Sequence, residues 1–174
     1  MNPQALMSQA ESLGLPVETA QQFYADRLLP KFIQEFSRFV IPFVRRSGVR
    51  VETLERGRVV CRMPIRGNVN HIGTMYAGAL FTLAEFPGGP LLLATYGMSR
   101  YIPIVTSLDM DFVKVAKTDV SVELRMSPEE IERVQTETDR DGKSTFELRG
   151  ELKDKHGTVV ARSHAVYQMR PKRR

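Results

Sequence analysis

With one cysteine among 174 residues, Cys61 has no internal partner, which excludes an intrachain disulfide and fits a reducing compartment. Long apolar runs are also missing. Those such as Leu91-Leu92-Leu93-Ala94-Thr95 fall far short of the ~18 residues a bilayer span needs. The N-terminus, MNPQALMSQAESLG, has no basic stretch followed by an apolar core, so a cytoplasmic protein without a membrane span is expected. There is no Gly-Lys-Ser/Thr phosphate loop and no dinucleotide fingerprint. His71, His156 and His164 are scattered, with no two at ligand spacing and no cysteine partner, so neither metal nor cofactor is expected. No zinc-finger spacing, RNP-type aromatic run or long basic helix points to nucleic acid.

What is present describes an ordinary folded chain. Hydrophobic residues make up 42% and charged residues 26%, near the averages for globular proteins, and 174 residues suffice for one real core. The net charge of +5 favours anionic partners, although part of it sits in Arg170-Pro171-Lys172-Arg173-Arg174. That segment reads as a solvated tail or as a docking aid for a phosphate-bearing ligand.

Residues 3–46 read as helical, with Gly14 and Pro16 ending a first segment and Pro30 and Pro42 interrupting later ones. Phe32, Ile33, Phe36, Phe39, Val40 and Phe43 form an apolar stripe suited to covering a sheet. From Val49 the period becomes two. Val49, Val51 and Thr53, a turn at Arg56-Gly57, then Val59, Cys61, Met63 and Ile65 predict a hairpin. After an apolar helical segment within 70–97, alternation predicts strands over 104–115 and 120–126. A capping box, Ser127-Pro128-Glu129-Glu130, opens a short helix to about Thr138, and Asp141-Gly142 turns the chain. Two long strands close it, one through Phe146, Leu148 and Leu152 and the other through Val159, Ala161, Ala165, Tyr167 and Met169. The expectation is an α+β fold, one long helix against a curved, mostly antiparallel sheet, with no linker or repeat dividing the chain.

The order of elements and residues 70–85 together resemble the hotdog thioesterases. In the phenylacetyl-CoA thioesterase-like branch, Asn and Gly precede His-Gly-Gly, and four residues later comes Leu-x-Asp or Leu-x-Glu. Here the same spacing reads Asn70, Gly73, Tyr76-Ala77-Gly78 and Leu83-Ala84-Glu85. Tyr76 replaces the branch histidine and Ala77 a glycine, which leaves the substrate class open. The segment is also similar to a less characterised hotdog branch in which Asn-His-x-Gly-Thr-Met, Ala-Gly and Glu occur together. The resemblance implies a hotdog core over 49–170; the pattern of the chain adds a helical extension over 1–48 and a basic tail over 171–174, all in a single domain. It implies thioester hydrolysis, with Asn70 as positioner and Ser107 assisting the carboxylate. Tyr76, Gly73 and His71 would line the site.

Elementary chemistry agrees with that reading. A carboxylate in an apolar helix is costly unless it is paired or used, and Glu85 can serve as nucleophile or general base. The first turn around Tyr76, Ala77 and Gly78 offers unpaired N–H groups and the positive end of the helix dipole to an oxyanion. Eight residues separate Ala77 from Glu85, about 12 Å along a helix, so both can act on one carbonyl only across two chains. A homodimer or homotetramer acting on an acyl-CoA or acyl-carrier-protein thioester is expected. The rival reading is a non-catalytic hotdog that binds acyl-CoA or lipid. Cys61, in an apolar strand phase, is expected in the core.

Overall fold

The computed structural model describes residues 41–97 and 100–172, with Lys31 and Glu35. The expected helices before residue 41, every residue of the apolar stripe but Phe43, and Arg173 and Arg174 lie outside the described residues. A short helix α1 (Pro42–Ser47) starts on proline and ends at Gly48 in the left-handed region. It leads into the hairpin of β1 (Arg50–Glu55) and β2 (Arg58–Met63). Then come α2 (Ala77–Glu85) and α3 (Gly88–Tyr96), followed by β3 (Tyr101–Phe112) and β4 (Val120–Arg125). The chain closes with α4 (Pro128–Asp141), β5 (Ser144–Asp154) and β6 (Val159–Pro171).

Six antiparallel strands form one sheet in the order β1-β2-β4-β5-β6-β3. The expected α+β architecture is present, with helices α2 and α3 against one face. Val59, Cys61 and Met63 of β2, Val122 and Leu124 of β4, and Phe146, Leu148 and Leu152 of β5 are buried beneath Leu80, Leu83, Leu91 and Leu92. Cys61 is a core residue whose thiol pKa is pushed up by burial. Leu83 is fully buried, so Leu83→Ala should cost about 2–5 kcal/mol in urea unfolding, through lost burial and the cavity left behind. The opposite face carries exposed ion pairs such as Arg149–Glu147, 2.9 Å, and Lys153–Glu151, 3.1 Å, which keep it wetted and contribute little to stability.

The structure corrects the expected phases in three places. A register shift between Val51 and Thr53 breaks the Val49-Val51-Thr53 face and turns Leu54 into the core. A second shift beside Lys153 buries Val160 in place of Val159. The third strand begins at Tyr101 and ends at Phe112; it is the sheet's edge, and its Ile102, Ile104, Val105 and Phe112 are exposed. Helix α4 is longer than expected, ending at Asp141 with Gly142 left-handed, while Ser127 Oγ accepts from Glu130 N as the capping box requires.

Between α2 and α3 the single expected helix breaks at Phe86-Pro87, both in right-handed helical conformation. Taken as one run, Ala77–Tyr96 is apolar and long enough by composition to cross a membrane, with mean hydropathy 1.3. Yet 56% of it is buried inside the protein, as a sheet's core helix must be.

Candidate active site

The sequence-predicted residues, Ser107 excepted, lie at the two ends of α2 and in the loop before it. At its start, the 64–76 loop is pinned from both sides. Met75 N donates to Ala116 O at 2.8 Å, and Tyr76 N to Asn68 O at 2.8 Å. Asn68, which sequence reasoning missed, donates through Nδ2 to Ser47 O (2.7 Å) and Pro64 O (2.9 Å), tying the loop to α1 and closing it on its own start. Asn70 organises the loop itself: Oδ1 accepts from Ile72 N and Thr74 N, both at 3.1 Å, and Nδ2 donates to Thr74 Oγ1 at 2.9 Å. These bonds take one of the amide's two hydrogens and make Asn70 an Asx-type turn former beside the helix tip. Gly73 takes a positive φ of 76°, the turn's need for glycine. His71 is exposed in the same loop.

The tip of α2 is open. Its N-cap, Tyr76, is extended (φ −63°, ψ 136°) and makes no side-chain cap, and the first turn holds no acidic residue to offset the dipole. Ala79 N and Leu80 N bond to Tyr76 O at 2.9 and 3.2 Å, leaving the preceding amides of Ala77 and Gly78 at the open end. The Tyr76 ring, 59% exposed, lies across Gly78: a Cβ there would meet Tyr76 Cε1 at 2.3 Å. Glycine at 78 therefore makes room for the ring.

Glu85 closes the same helix. More than a third of its surface is exposed in the single chain, yet burial of its surroundings raises its carboxyl pKa above the ordinary value. It sits on a cleft of about 330 Å³ between α1 and the outer face of α2 and α3. Two rows at four-residue spacing form the floor, Phe81-Glu85-Gly89-Leu93 and Thr82-Phe86-Pro90, with Ile41, the N-cap of α1, and Phe43 and Val44 of α1 opposite. The i, i+4 rows were visible in the sequence; their shared cleft with α1 was not. Ser107 lies apart on exposed β3, its Oγ donating to Asp109 Oδ2 at 3.3 Å. The tip and Glu85 are separated by eight residues of continuous helix, about 12 Å, so one chain does not bring them together.

A carboxylate on an apolar cleft, a separate amide-rich helix tip and this sheet order define the class of hotdog thioesterase-like proteins. The chain belongs to the domain of unknown function DUF4442, whose profile matches residues 30–169. It is 46% identical to a Pseudomonas aeruginosa protein of unknown function named a probable thioesterase, over 82% of this chain and 95% of that one, with a TM-score of 0.77. More distant structures share the fold. A Chlorobaculum tepidum protein of unknown function is 14% identical, with a TM-score of 0.76 over 85% of this chain and 98% of that one. A mutant thioesterase from Pseudomonas aeruginosa is 14% identical, with a TM-score of 0.65 over 82% and 94%. No curated protein matches the chain.

Proposed function

We propose that this protein is a thioesterase that hydrolyses acyl-CoA, using Glu85 of one chain and the α2 tip of its twin. The observation that carries the reading is Glu85 itself, a carboxylate of raised pKa on an apolar cleft, at the end of a helix whose other end is uncapped. Water, deprotonated by Glu85, attacks the thioester carbonyl; the amides of Ala77 and Gly78 stabilise the oxyanion. The C–S bond then breaks, and the proton held by Glu85 returns to the leaving thiolate. Asn70 orders the loop behind the tip, and the apolar cleft beside Glu85 suits an acyl chain.

Because Glu85 and the tip are about 12 Å apart in one chain, their action on one carbonyl requires a homodimer, and the two sheet edges favour one mode of pairing. Each edge strand has one register shift, but edge β1 is short and charged, carrying Arg50, Glu52 and Glu55. Edge β3 is twelve residues long and exposes Ile102, Ile104, Val105 and Phe112. A long apolar edge invites a second strand, whereas a short charged one repels it, so β3 is the edge for the partner.

The rival reading, an acyl-CoA or lipid binder without turnover, draws on the Tyr76 ring lying across Gly78 where the oxyanion would form. Thiol release from short, medium, long and aromatic acyl-CoAs, and from an acyl-carrier-protein thioester, separates the two. Turnover of at least one CoA thioester is expected. Tight binding with no turnover on any of them would favour the binder.

A further inference from the structure

The break after Glu85 removes a hydrogen bond and supplies another from a distant strand. Proline at 87 and 90 has no amide hydrogen, so the helical bonds those positions would make to Leu83 O and Phe86 O are lost. Gly89 N, which in an unbroken helix would bond to Glu85 O, bonds instead to Phe86 O at 3.3 Å. Glu85 O thereby loses its helical donor. Tyr167 of β6 takes that place, its hydroxyl donating to Glu85 O at 2.9 Å.

The surroundings hold that phenol tightly. Tyr167 is 3% exposed, and its ring stacks on Phe146 of the neighbouring strand, centroids 5.6 Å apart and planes 12° apart. Gly88 leaves the space: a Cβ at that position would lie 2.1 Å from Tyr167 Oη. The two prolines, the missing Cβ and the buried hydroxyl together make one contact possible, between the sheet and the backbone of the residue proposed to do the chemistry.

We propose that Tyr167 is a positioning residue for Glu85, anchoring its carbonyl at the helix break so that the carboxylate keeps one orientation toward the partner's helix tip. The inference rests on the reading of Glu85 as the reactive carboxylate. It assigns a role to the Pro-Gly-Gly-Pro segment: the break exchanges a flexible helical bond for an anchor on the rigid sheet. Burial raises the pKa of both groups, and the Glu85 charge raises that of Tyr167 further.

Tyr167→Phe removes the hydroxyl and keeps the ring on Phe146. With an acyl-CoA that the wild type hydrolyses, kcat should fall roughly ten- to hundredfold with little change in KM, since misplacing a reacting group by about 1 Å costs that much. In a Glu85→Gln background the same change should cost nothing further. Independently of turnover, a carboxyl ¹³C NMR titration should show the Glu85 midpoint moving down toward an ordinary carboxylate, because the released helix end admits water. Gly88→Ala, whose methyl must push the hydroxyl away, should give the same kcat loss and midpoint shift if Tyr167→Phe does not fold. An unchanged kcat and Glu85 titration, or equal fold-losses with and without Glu85, would overturn the proposal. A wild type inactive on every thioester would defeat the hydrolase reading, while the titration alone would still decide whether Tyr167 controls Glu85.

Discussion

Glu85→Gln should lower kcat for acyl-CoA hydrolysis by about 10²–10⁴-fold, the range lost with a general acid–base group, while KM changes little. Glutamine keeps the shape and a hydrogen-bonding end but cannot take a proton from water or attack a carbonyl. The same substitution should make the protein more stable at neutral pH. Burial raises the folded-state pKa of Glu85 above its unfolded value near 4.5. Between those two values the folded chain binds more protons than the unfolded one, so stability falls as pH rises through that window. Above it the ionised carboxylate is a standing destabilisation, which the neutral amide removes. Activity runs the other way, rising with pH as Glu85 ionises. Stopped assays of thiol release and thermal melts at matched pH test both signs. A variant that lost stability along with activity would mark Glu85 as a structural ion-pair member instead of a base.

Much of this is legible in the amino-acid sequence. The β2, β4 and β5 alternations mark the buried face because the side-chain period of two leaves no choice of side once one face is greasy. Bulges were not legible: the shifts at Thr53 and beside Lys153 insert a residue without any change in composition, so Leu54 and Val160 entered the core unannounced. At the site, Asn70, Gly73, Ala77, Gly78 and Glu85 follow from one contiguous motif, and the structure places them at the two ends of α2. Ser107 is suggested only by its position after the helix, and it lies on an exposed edge strand, bonded to Asp109. In the sequence Tyr167 reads as one more apolar-phase strand residue; only the meeting of β6 with the helix break, 82 positions away in sequence, distinguishes it. Local patterns reveal faces and turns, whereas contacts between distant segments carry no local signature.

Ala77→Pro should lower kcat by about 10²–10³-fold, the loss typical of one oxyanion donor, with little cost to folding. Proline is well suited to the first helical position, and the extended Tyr76 before it, at ψ 136°, already has the backbone that a following proline requires. The substitution thus deletes one N–H at the α2 tip and leaves the helix in place. Its value is greatest in combination with Glu85→Gln. If each site takes its carboxylate from one chain and its tip from the other, a mixed dimer of the two variants contains one site with both defects and one with neither. Random reassembly of equal amounts makes half of the dimers mixed, so about one quarter of wild-type activity should return. If a single chain carried the whole site, every site in the mixture would retain a defect and nothing would return. Charges placed on the apolar edge, as in Ile104→Lys with Val105→Glu, should block both assembly and this recovery, because the partner strand would meet charge where it needs apolar contact. Sedimentation of the edge variant beside the activity of the mixed dimers therefore tests the shared site and the surface that builds it in one set of samples.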